Sequence, residues 1–77
     1  NSKESDWFLK GKLLFGLDLA KKEMRKKSMA FLVEGYTDCV AMVKHGYLNT
    51  VATLGTACTQ EHLKILSRYI KRLYVLY

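Results

Sequence analysis

Met29-Ala-Phe-Leu-Val-Glu-Gly-Tyr-Thr-Asp38 is the stretch that decides the fold of this sequence. Five consecutive apolar residues, Met29 to Val33, stop abruptly at Glu34-Gly35. An apolar run this short, closed by a glycine, predicts a strand buried on both faces, as in parallel sheets. Thr37 or Asp38 is then placed to cap a helix through about Lys44. Val40, Ala41 and Val43 are its expected inward positions, and Gly46 is suited to end it in a left-handed conformation. The pattern recurs downstream. Thr50-Val-Ala-Thr-Leu54 predicts a second strand that stops at Gly55-Thr56. Thr59 caps a further helix of about ten residues, with Leu63, Leu66 and Ile70 on one face. Leu73-Tyr-Val-Leu-Tyr77 predicts a third strand.

Upstream, residues 9–27 read as a helix. Leu13, Leu17, Ala20 and Met24 align on one face, although Gly11 and Gly16 weaken its start. The order helix, strand, helix, strand, helix, strand predicts an α/β fold, a parallel sheet joined by right-handed crossovers.

With 77 residues there is room for one small domain, which buries only about 60% of its unfolded surface. The chain is 49% hydrophobic and has no proline, the composition of a packed domain rather than a disordered tail. No apolar run approaches the roughly 18 residues of a membrane span, and residues 1–6 carry no secretory pattern. Cys39 and Cys58 have no metal-binding spacing and read as two reduced, partly buried thiols. The formal charge is +6. Eight of thirteen Lys and Arg residues fall within the first 27 positions, densely from 21 to 27, and four more lie between Lys64 and Arg72. Each run by itself reads as a solvated helix face; the total favours a polyanionic partner.

In open parallel sheets ligands bind at the carboxyl ends of the strands. Glu34 stands at such an end. It suits a hard Mg²⁺ ion, which takes a few carboxylates plus water and phosphate, or a proton-transfer role; it also fits a plain polar strand terminus. Gly35 allows a close backbone approach or a simple turn. Asp38 either caps the following helix or shares a metal with Glu34. Gly55-Thr56 leads into a helix start that can hold a phosphate, though no GKS or GKT follows. Lys10 lies beside Trp7-Phe8, a pair fitted to stack on a base or to pack against the sheet. His45 and His62 read as surface or capping residues, and Tyr69, Tyr74 and Tyr77 as packing residues.

Phe31-Leu-Val-Glu-Gly-Tyr-Thr-Asp38 resembles the first motif of toprim domains, in the Glu-Gly-Tyr-x-Asp form of bacterial DnaG-type primases. Three further stretches agree in order. Asn1-Ser2 with Glu4 resembles the Asn-Ser-x-Glu of that family. Phe8-Leu9-Lys10-Gly11-Lys12, with Leu14-Phe15-Gly16-Leu17, resembles its Lys-Gly segment. Val51-Ala52-Thr53-Leu54-Gly55-Thr56-Ala57, with Thr59 and His62, resembles its second strand and loop. The resemblance implies a toprim, Rossmann-like sheet with flanking helices: residues 28–77 as a partial toprim domain, residues 1–27 as the segment and helix leading into it.

It further implies Mg²⁺-assisted (or Mn²⁺-assisted) attack of a 3′-hydroxyl on a nucleotide α-phosphate, making short RNA primers on single-stranded DNA from ribonucleoside triphosphates. Glu34 would be the toprim glutamate, in metal binding or proton transfer. Asp38 would support the metal, Lys10 would position phosphate, and Gly35 and Gly55 would be structural glycines at the site. The whole protein would be cytoplasmic, free of membrane, and would meet a replicative helicase and a single-strand-binding protein, with zinc held in another domain. Family members follow the third strand with an Asp-x-Asp pair. This sequence ends where that pair begins, so the expectation is an incomplete toprim fold, weak metal binding and no polymerisation by these residues alone. Two rival readings are a toprim nuclease or topoisomerase, and a non-catalytic nucleic-acid-binding module like the recombination mediators.

Overall fold

The computed structural model describes residues 14–55 and 57–77. Six elements follow one another: α1 (Leu17–Lys27), β1 (Met29–Val33), α2 (Tyr36–Lys44), β2 (Thr50–Ala52), α3 (Gln60–Ser67) and β3 (Arg72–Val75). The three strands form one parallel sheet in the order β2-β1-β3. The α/β architecture, the parallel pairing and the alternation all agree with the sequence reading.

The apolar run of β1 is explained by its place at the centre. Ala30 and Leu32, fully buried, point to one face, where they join Ala20 and Met24 of α1, Val51 of β2 and Leu66 of α3. Val33 points to the other face and packs with Cys39 of α2 and Ala52. Helices α1 and α3 therefore cover one side of the sheet and α2 the other. Burying a side chain such as Met24, Leu32 or Leu66 contributes roughly 1.5–3 kcal/mol each. Asn49 donates from Nδ2 to the Met29 carbonyl at 2.8 Å, tying the entry of β2 to the start of β1.

Several boundaries differ from expectation. Residues 9–13 of the long amino-terminal helix lie outside the described residues, and Leu14–Gly16 are not helical. Gly16, at φ 83°, blocks the helix from starting earlier than Leu17. Phe15 instead exchanges two hydrogen bonds with Ala52, at 2.8 and 3.1 Å, in an antiparallel bridge on the outer edge of β2. In α2 neither Thr37 nor Asp38 caps the helix; Gly35 is the N-cap and no side chain bonds there. Cys39 and Met42 face inward, not Val40, Ala41 and Val43. Val40 and Val43 line an apolar hollow between α2 and α1, beside Phe15, Leu19 and Leu48.

Thr59 caps α3 as expected, its hydroxyl accepting from the His62 N–H at 3.1 Å while His62 Nδ1 accepts from the Thr59 N–H at 3.1 Å. His62 is thus a capping residue, but a fully buried one rather than a surface one, and Leu63 is half-exposed. Tyr69 packs against the core, whereas Tyr74 and Tyr77 are exposed. Both cysteines are free thiols. Burial raises the pKa of each above the ordinary thiol value. Beyond β2, Leu54 and Gly55 take positive φ angles of 57° and 84°, which ends the strand before Leu54.

Two outcomes follow for stability. Met24→Ala should lower it by about 2–5 kcal/mol, whereas Leu19→Ala, at a position 88% exposed, should change it by less than about 0.5 kcal/mol; urea midpoints compare the two. Gly55→Ala forces a side chain into the left-handed region and should cost about 1–2 kcal/mol in the same assay.

Candidate active site at the carboxyl edge of the sheet

All three strands deliver their carboxyl ends to one edge, because the sheet is parallel. Backbone hydrogen bonds knit that edge together. The Thr53 N–H donates to the Val33 carbonyl and the Gly55 N–H to the Glu34 carbonyl, both at 3.2 Å. From the other side the Leu76 N–H donates to the Leu32 carbonyl at 2.8 Å. Glu34 is therefore the first residue beyond the central strand, and its side chain is exposed. The left-handed conformation of Gly55 turns the chain so that its N–H meets Glu34.

Asp38 sits in the first turn of α2, also exposed. Its Oδ2 lies 3.6 Å from the point where a β-carbon on Gly35 would stand, so the carboxylate folds back over the glycine that follows Glu34. With no side-chain cap bond, Asp38 is not a helix-capping residue; its charge sits at the positive end of α2. Two water-exposed carboxylates at a strand end match what Mg²⁺ accepts, one or two protein oxygens with water and phosphate filling the remaining positions. Among the described residues no group of three or more His, Cys, Asp or Glu side chains gathers to hold a metal by itself.

The structure brings Glu34, Gly35, Asp38 and Gly55 to one edge. Lys10 and Thr56 lie outside the described residues, as do Trp7 and Phe8. One contact escaped the sequence reading: the hydroxyls of Thr53 and Tyr77 share a hydrogen bond of 2.5 Å across the end of β1. Tyr77 follows β3 and Thr53 follows β2, so the pair spans the two flanking strands just beyond the central one. No local pattern could announce it, since the partners are 24 residues apart. Phe15 and Tyr36, with ring centroids 6.1 Å apart in an edge-to-face arrangement, sit beside the same edge.

No helix among the described residues is long and apolar enough to cross a membrane. Residues 28–77 match the family described as the Toprim domain. Over all 77 residues the chain is 46% identical to the DNA primase of Aquifex aeolicus, of whose length it spans 16%. The crystal structure of the Aquifex aeolicus primase, with its zinc-binding and RNA polymerase domains, superposes with a TM-score of 0.83 at 46% identity, over 88% of this chain and 17% of that one. The DnaG primase catalytic domain bound to single-stranded DNA superposes with a TM-score of 0.76 at 35% identity, over 86% of this chain and 21% of that one. The chain belongs to the toprim family, and the stretch it represents is the toprim region of a bacterial DnaG-type DNA primase.

Proposed function

We propose that this chain supplies the Glu34 edge of the polymerase centre in a primase, a cytoplasmic enzyme that lays short RNA primers on single-stranded DNA for replication. The observation that carries the reading is the emergence of Glu34 at the carboxyl end of the central strand, fixed by the Gly55 N–H on its carbonyl. The reaction is nucleotidyl transfer: a 3′-hydroxyl attacks the α-phosphate of a ribonucleoside triphosphate and pyrophosphate leaves. Glu34 and Asp38 are the oxygen donors that would hold Mg²⁺ or Mn²⁺ at this edge. When bound, the ion neutralises triphosphate charge as the bond forms. In the alternative role Glu34 would accept the proton of the attacking hydroxyl. Gly35 and Gly55 keep the backbone around it low, and Lys10 is assigned to phosphate. Zinc, helicase and single-strand-binding protein belong, on this reading, to the rest of the polypeptide.

A nuclease or topoisomerase reading uses the same glutamate, but the 46% identity to a primase over the whole chain favours polymerisation.

The test is primer synthesis on single-stranded DNA, with Mg²⁺ and ribonucleotides, by the full primase polypeptide carrying this sequence. Glu34→Gln should reduce synthesis by about 10²-fold or more while template binding persists. Undiminished synthesis by that variant would remove Glu34 from the chemistry.

A further inference from the structure

The two basic runs of the sequence take no part in the carboxyl-edge site, and the fold brings them together. Helices α1 and α3 lie on the same face of the sheet. The Arg25 guanidinium stands 4.7 Å from the centre of the Tyr69 ring and Lys21 Nζ 5.9 Å from it, so α1 meets the end of α3 through that tyrosine. The N–H groups of Lys71 and Arg72 both donate to the Ser28 carbonyl, at 3.0 and 3.2 Å, which joins the end of α1 to the start of β3. One continuous surface results, running over the outside of the helix pair to the amino edge of the sheet.

Its charge is the largest concentration in the described chain. Residues 18–27 carry five cations against Asp18 and Glu23, and residues 64–72 carry four cations with no acid. Nine cations less two carboxylates leave an excess of seven, above the +6 of the entire chain. Asp18 and Glu23 are engaged by Lys21 and Lys27, at 3.3 and 3.7 Å. Among the described residues, Lys22, Lys26, Lys64, Arg68, Lys71 and Arg72 are exposed with no carboxylate in ion-pairing range. Helix dipoles do not account for this excess. Both helices end near the amino edge, but each end offers only about half a negative charge.

We propose that this surface holds the phosphate backbone of single-stranded nucleic acid, at the opposite edge of the sheet from Glu34; the identification of the strand as template rests on the primase reading. Lysines and arginines presented as separate, hydrated points suit phosphates. The Tyr69 ring is half-buried and faced by Arg25, so no open aromatic platform is offered to a base. Binding here is therefore independent of base sequence and sensitive to salt. It would let the polypeptide grip template while the Glu34 edge exchanges nucleotides.

The measurement is the affinity of the full primase polypeptide for an unstructured single-stranded oligonucleotide across a salt series. Lys22→Gln, Lys26→Gln and Arg68→Gln together should weaken binding roughly tenfold or more near 0.1 M salt and lower the slope of log affinity against log salt by about 2. The charge-keeping set Lys22→Arg, Lys26→Arg and Arg68→Lys should hold both values. An unchanged slope in the neutralised variant overturns the proposal and leaves an acidic protein as the better partner; a loss in both sets overturns it as well, by making charge irrelevant. The polymerase reading is tested separately, by primer synthesis with Glu34→Gln, so failure of the surface and failure of that reading remain separable.

Discussion

Parallel hydrogen bonding on both sides of β1 is the constraint from which the remainder of the molecule follows. A strand paired left and right has no free edge; α1 and α3 bury one of its faces fully, and α2 covers the other at Val33 while Met29 and Phe31 stay half-buried. Only apolar side chains can occupy such a position at low cost, which is why Met29 to Val33 contains no polar residue. The same pairing ends at Val33. Glu34 can carry a charge because it is the first position past the register that β2 and β3 impose. Burial of the strand and exposure of the glutamate are two consequences of one set of bonds.

The crossovers extend this polarity to the whole chain. Each helix returns antiparallel to the strands, so α2 starts at the carboxyl edge with Asp38 in its first turn. Helix α1 ends at the other edge with Arg25, Lys26 and Lys27 in its last turn. Acids thus stand in the first turns at one edge and cations in the last turns at the other, the cations in larger number than the helix dipoles alone would favour. The result is a charge separation along the strand direction: carboxylates where a cation and triphosphate would meet, and an excess of lysine and arginine where a polyanion can be held without competing for that site. Two functions that would repel one another at a single place are kept apart by the direction of the sheet.

The strands and their order were legible because each left a short apolar run with a glycine or polar stop, a signal that is local. Glu34 was legible for the same reason, being the stop itself. What failed was information carried by distant contacts. Gly16 reads as a mild helix weakener, yet its left-handed conformation ends the non-helical segment in which Phe15 pairs with Ala52, 37 residues away. Val40 and Val43 are as apolar as core residues; the helix rotation that seats Cys39 against Thr50 turns them to a hollow instead. His62 carries a cap that spacing anticipates, but its burial depends on how α3 settles on the sheet. The Thr53–Tyr77 bond requires all three strands in place before its partners meet.

The glycines distinguish what the fold needs from what the edge needs. Gly55 and Gly16 occupy left-handed backbone, where a side chain is strained whatever space surrounds it. Gly35 does not: its φ of −118° and ψ of 159° are extended values open to any residue. A β-carbon added there would meet nothing closer than 3.6 Å, an ordinary contact. Neither backbone conformation nor packing therefore demands glycine between Glu34 and the helix that carries Asp38. The missing side chain does leave the backbone bare between two exposed carboxylates, at the one edge of the sheet where all the strands end. With no side chain of its own, Gly35 adds no bulk beside the Asp38 carboxylate, a steric condition for a metal held partly by its substrate. On this argument Gly35 is tied to the chemistry proposed for the edge, while Gly55 is tied to the fold that presents it.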